Sequence, residues 1–230
     1  ITKRETETQR RIYSGLGVTL VALLLVMLVS AFKRLGLYEE VYGFSRLRTY
    51  THIFLIWIGL LLIVTIALEI LRKERMFMFA ALVASFGFAI SLPVLNVDAF
   101  IVEQNIQREI NAQSKGQLTQ GGRADLDAQY FLDLSDDAVP TLVKAYQTSS
   151  LPDSVREKIG ASLACINYER KQNDREFEWQ SFHVARANAD RRLASIKNEL
   201  KDFKVTDTDW PVIVTTPSGE EFSCSSYYYD

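Results

Sequence analysis

The sequence predicts a mainly α protein: three transmembrane helices, then a small extracytoplasmic helical domain with a C-terminal β-hairpin. Two observations lead there. The apolar residues crowd into the first hundred of 230 positions, in three runs over 12–32, 50–71 and 76–97. Each is close to the ~20 residues that a helix needs to cross ~30 Å of hydrocarbon. Charge divides at the same place. Residues 1–97 hold 11 Lys/Arg against 6 Asp/Glu, and residues 98–230 hold 15 against 22. A basic membrane part joined to an acidic aqueous part is the pattern of a bilayer anchor carrying a domain in water, and the acidic balance excludes nucleic acid as a partner.

The first run is too long for the apolar core of a signal peptide, and Lys33 and Arg34 stand where small cleavage residues would be. Gly15 and Gly17 in span one, and Ala84 and Gly87 in span three, let helices approach closely. Tyr50 and His52 open span two with polar-tipped rings at headgroup level. Glu69, near its end, reads either as an intramembrane carboxylate on an ion path or as an interfacial partner of Arg72 and Lys73, and the second reading is preferred. Pro93 ends or bends span three. Residues 35–49 are too polar to cross and are expected to lie along the interface as a short amphipathic element.

Lys3, Arg4, Arg10 and Arg11 lie before span one, and Arg72, Lys73 and Arg75 lie between spans two and three. The positive-inside rule puts both segments in the cytoplasm, so an odd number of spans sends residues 98–230 outside. Because the chain opens at Ile1 rather than Met, it reads as a processed or partial piece of something longer. Cys165 and Cys224 both fall in the part placed outside, where they can form a disulfide or remain two buried thiols.

In the acidic part, residues 96–113 read as a helix continuing from the membrane, with Ala99, Val102, Ile106 and Ile110 on one face. Residues 114–123 are a glycine-bearing loop. Leu126, Tyr130 and Leu134 give a short helix its face. Val139, Leu142, Val143 and Tyr146 do so for the next, with Ser135, Asp136 and Asp137 as cap candidates and Pro140 in the first turn. A third helix covers 154–167, with Val155, Ile159, Leu163 and Ile166 inward and Gly160, Ala161 and Ala164 packing closely. The longest soluble helix is predicted over 174–203, on a stripe from Phe182 to Phe203. The hairpin pairs 212–216 with 221–225 around Pro217-Ser218-Gly219 and needs the helices to dock on. The divisions expected are 1–97, 98–204 and 205–230.

The motifs that would carry chemistry fail on spacing. Asp125, Asp127, Asp133, Asp136 and Asp137 cluster, but without the spacing or glycine of a calcium loop, so they read as caps and solvated faces. His52 and His183 are the two histidines, one at the membrane and one in the soluble part, which disfavours a zinc site. Ser181 and His183 point to different faces of a helix. The Gly15-Leu16-Gly17 stretch opens a span and is no dinucleotide loop. No catalytic, cofactor or metal residues are assigned, and an enzyme is not expected.

Four stretches, over residues 42–62 (YGFSRLRTYTHIFLIWIGLLL), 92–106 (LPVLNVDAFIVEQNI), 125–143 (DLDAQYFLDLSDDAVPTLV) and 179–193 (WQSFHVARANADRRL), resemble in order a bacterial multi-pass membrane family, domain of unknown function 4173, with its relative 4153. The resemblance implies a bacterial plasma (inner) membrane protein with an extracytoplasmic helical region, and brings no activity or site residues. The function expected is a non-catalytic integral membrane subunit in contact with the lipid bilayer that assembles with membrane-protein partners or as a homo-oligomer. The alternatives are an envelope sensor or regulator, or a fragment of a multi-pass transporter.

Overall fold

The computed structural model describes residues 7–114, 126–149, 151–172, 183–207 and 210–225. The chain divides into two compact units, residues 1–95 and 96–230.

The first unit is three helices, α1 (Glu7–Tyr42), α2 (Arg46–Ile70) and α3 (Phe77–Val94), each long and apolar enough to cross a membrane. The middle helix packs against both others. Its closest fit is with α3. A Cβ on Gly87 would stand 2.2 Å from Trp57 Cη2, so the absence of a side chain lets the indole lie on the α3 backbone, and Trp57 Nε1 donates to Ser91 Oγ at 3.3 Å. On the other side, Gly59 faces Leu28 at ordinary contact distance. A Cβ on Gly15 or Gly17 would meet nothing within 4 Å, so the close approach expected at these two is not made among the described residues of the unit. The apolar side chains of α1 instead point outward: Leu16, Leu20, Leu23, Val26 and Met27 are all exposed. A continuous apolar surface of this extent calls for lipid or protein rather than water.

The polar segment after span one is not a separate interfacial element. Residues 35–42 continue α1, and the chain turns only at Gly43 (φ 79°), with Ser45 extended before α2. Arg48 holds the turn by donating from Nη1 to the Gly43 carbonyl at 2.7 Å, with its guanidinium over the Tyr42 ring. Arg72 stops α2. With Arg72 at φ 58°, its N–H reaches the Glu69 carbonyl and the Lys73 N–H reaches that of Leu68, a Schellman closure. Pro93 lies one residue before the end of α3.

The second unit contains α4 (Val97–Ser114), α5 (Val139–Tyr146), α6 (Asp153–Gln172), α7 (Val184–Ser195) and three short strands. The helix predicted from 96 is α4, and Asn96 (φ 43°) caps it, its Oδ1 accepting the Ala99 N–H at 3.3 Å. Residues 129–133 form a 3-10 turn rather than a short α-helix, so Phe131, not Tyr130, is driven fully inside. A second 3-10 turn (Asp136–Ala138) follows, and Pro140 lies in the first turn of α5, whose Val139, Leu142 and Val143 are buried as its spacing predicts.

The centre of this unit is α6, which packs against α5 and all three strands and buries every residue from Ile159 to Cys165. Such burial is open to it because its sequence there is small: Gly160, Ala161, Ser162 and Ala164. The one hydroxyl inside is satisfied, Ser162 Oγ donating to the Ala128 carbonyl at 2.8 Å. A Cβ on Gly160 would meet Phe203 Cζ at 2.3 Å and Tyr146 Cε2 at 2.9 Å; the two rings meet edge to face above it.

Among the described residues the longest helix of this unit is α6, not the one predicted over 174–203. Residues 173–182 lie outside the described residues. The remainder is α7, a turn over 196–198 and a 3-10 turn (Glu199–Asp202). Ser195 Oγ donates to the Arg192 carbonyl at 2.6 Å, a local bond that competes with the helical ladder where α7 stops. The apolar stripe survives this break, since Ala189, Leu193, Ile196, Leu200 and Phe203 are all buried.

The hairpin is part of a larger sheet. β2 (Ile213–Thr215) pairs antiparallel with β3 (Glu221–Ser223), and β1 (Lys204–Thr206) adds a third strand on the free edge of β2, in the order β1-β2-β3. The turn is closed by Gly219 (φ 92°), whose N–H donates to the Thr216 carbonyl. Val214 enters the core, and Cys224 is joined to Cys165 of α6 by a disulfide.

Candidate functional site

Three polar constellations stand out among the described residues. The first is in the membrane unit. Glu39 on α1 is buried, and its Oε1 lies 2.9 Å from His52 Nδ1 on α2, with the His52 ring against the edge of Phe32. The interaction is a lock on the α1–α2 turn. The sequence places His52 at headgroup level and Glu39 in the polar segment over 35–49. No spacing rule could join them, since they stand 13 residues apart across a helical turnaround.

The second surrounds Glu69. Glu69 lines a cavity of about 350 Å³ between the first turns of α1 and the last of α2, together with Arg11, Ser14, Gly15 and Arg72. The carboxylate thus stands one residue before the end of α2, beside guanidinium groups.

The third lies in the second unit. A groove of about 200 Å³ has Phe131, Leu134, Leu142 and Ile166 as an apolar floor and Asp136, Glu169, Arg170 and Arg186 among its polar lining. Arg170, on the last turn of α6, forks to two carboxylates, Asp136 before α5 and Asp190 on α7. One guanidinium with two such partners fixes three segments at once. The Glu169 carboxyl has a raised pKa, first because it is partly buried and then because Asp133 lies nearby. As Glu169 is exposed overall, water screens the effect. Asp133 Oδ2 is buried without a hydrogen-bond partner among the described residues. Tyr146, at the end of α5, has its hydroxyl pKa raised first by burial and then by the charges of Glu199 and Asp202.

The aspartate cluster is drawn apart in the structure. Asp127 Oδ1 accepts the Tyr130 N–H at 3.1 Å, Asp136 pairs with Arg170, and Asp125 lies outside the described residues. No group of three or more His, Cys, Asp or Glu that could hold a metal occurs among the described residues. His183 is exposed at the start of α7, and Ser181 lies outside the described residues.

Residues 1–145 match the family model described as Domain of unknown function (DUF4153). The chain belongs to this family. Of the two related families that the sequence resembles, 4153 is the one whose model matches. The match takes in the three apolar helices, α4 and nearly all of α5, and stops before α6, the disulfide and the sheet. The groove around Arg170 is therefore built partly from residues beyond the family match. No curated protein and no solved structure matches the chain.

Proposed function

We propose that this membrane protein is a non-catalytic subunit of the bacterial plasma membrane that presents its second unit outside the cytoplasm for assembly with partner proteins. The observation that carries the reading is the Cys165–Cys224 disulfide, because such a bridge persists in an oxidising compartment. The basic residues before the apolar run of α1 and between α2 and α3 favour the same orientation. The open face of α1 around Gly15 and Gly17 supports assembly, since positions where a Cβ would meet nothing within 4 Å among the described residues admit another helix.

Gentle detergent extraction from the native membrane, followed by mass spectrometry of the intact complex, tests the assembly. A partner at fixed stoichiometry is expected, and a lone monomer would sink the subunit reading. Labelling of a single cysteine introduced at exposed Glu221 with an impermeant maleimide tests the orientation: labelling in intact spheroplasts is expected, and labelling only after lysis would reverse it. A sensor is the second reading, favoured by the groove around Arg170. A small solute that raises the melting temperature of the wild-type chain, but not of Arg170→Gln, would move the weight to it.

A further inference from the structure

The cavity between the first turns of α1 and the end of α2 shares Gly15 with the open face of α1 and is otherwise lined by side chains that the assembly proposed above does not use. Its position is set by the sequence of the two helices. Arg11 immediately precedes the apolar run of α1, and Ser14 lies one turn inside it. Ile70 ends α2, and Arg72 follows within two residues. The cavity therefore sits where apolar helix surface gives way to charge, the depth of phospholipid headgroups. It lies within the size range of small-molecule sites, at about 350 Å³.

Its lining offers two guanidinium groups and a hydroxyl against the single carboxylate of Glu69. Lys73 and Arg75, on the turn to α3, outweigh Glu74 between them and leave positive charge close by in the chain. The open space above Gly15, where a Cβ would meet nothing within 4 Å, leaves one wall low.

The backbone of Arg72 is a separate observation. It occupies the position after the α2 cap at φ 58°, a conformation that glycine adopts freely and that is unfavourable for a residue with a side chain. Glycine would close the helix more cheaply. An arginine there is unfavourable for the cap and places a guanidinium in the cavity wall.

We infer that Arg11, Arg72 and Ser14 form a binding site for the phosphodiester of an anionic phospholipid headgroup, with Glu69 limiting its affinity. The ligand chemistry is a phosphate at the membrane surface. A guanidinium meets phosphate oxygens through paired N–H donors, and each basic residue at an anionic surface strengthens binding by about fivefold.

The test uses the full chain in mild detergent, titrated with phosphatidylglycerol or phosphatidylcholine and read by native mass spectrometry. Wild type is expected to retain phosphatidylglycerol in preference to phosphatidylcholine. Arg11→Gln/Arg72→Gln should bind phosphatidylglycerol roughly 25-fold more weakly. Arg72→Gly removes one charge and relieves the backbone, so it should melt no lower than wild type while binding about fivefold more weakly. Glu69→Gln should bind more tightly. Equal retention of the two lipids overturns the site, as does wild-type phosphatidylglycerol binding by either arginine variant. Displacement of the lipid by excess inorganic phosphate overturns the lipid assignment and leaves a site for a soluble phosphate.

Discussion

Replacing Gly160 by alanine should destabilise the second unit, although the same change in an open helix would stabilise it. Alanine gains about 1 kcal/mol over glycine in a helix interior. Here the added methyl would stand 2.3 Å from Phe203 Cζ and 2.9 Å from Tyr146 Cε2. Ordinary contact requires the Phe203 ring to retreat by roughly 1 Å. That ring is buried, and it belongs to the residue joining the 199–202 turn to β1, so its retreat pulls on the sheet. Overpacking of a filled core costs about 1–3 kcal/mol, and a clash with two rings belongs at the upper end. The net loss is about 2 kcal/mol, or roughly 6–10 °C in melting temperature for a unit of this size. Scanning calorimetry of the purified chain in detergent measures it directly. Adding Phe203→Leu should recover part of the loss, because the smaller side chain vacates the space above residue 160. A melting temperature for Gly160→Ala equal to or above that of wild type would refute the packing of the two rings on α6.

Removing the disulfide by Cys165→Ala/Cys224→Ala should cost about 4 kcal/mol on the chain-entropy account of a bridge spanning 59 positions, and non-reducing electrophoresis should show slower migration of the reduced chain. Glu169→Gln should raise stability at neutral pH and leave it unchanged below the ordinary carboxylate range. A carboxyl with a raised folded pKa contributes no penalty while protonated in both states, and its folded form loses ground as pH rises past the unfolded value, so melting of both proteins at acid and neutral pH checks the sign. His52→Leu should destabilise the membrane unit by about 3 kcal/mol, because it leaves the buried Glu39 without its partner, whereas Glu39→Gln should lose less by keeping a hydrogen-bonding group there; thermal unfolding in detergent compares the two.

The three membrane-length helices are legible because their signal is local. A run of twenty apolar residues is a property of its own segment, and no partner is needed to interpret it. The inward faces of α5 and α6 are readable for the same reason, since residues three and four apart share a helix face wherever the helix packs. Where a helix ends is less local. Nothing in residues 35–42 announces that α1 continues, because what their one buried acid meets is His52, on the next helix. Residues 184–203 keep helical spacing through a break, since a 3-10 turn can bury Ile196, Leu200 and Phe203 as well as an α-helix can.

The candidate sites lie further from the sequence still. Glu69 is visible as a lone acid near basic residues, but the juxtaposition with Arg11 exists only once α1 and α2 lie side by side. Arg170 gives no signal in its own segment, and becomes a bridge when α5 and α7 bring Asp136 and Asp190 to it. Gly160 and Gly87 look alike as small residues in helices, and the rings of Tyr146, Phe203 and Trp57 that make them necessary come from elsewhere in the chain. By itself, then, the sequence determined the solvent of each half and the inward face of most helices, because hydrophobicity and periodicity are local. The tertiary structure decided which charges meet, which glycines are required and where the third strand pairs, because those depend on segments brought together from distant positions.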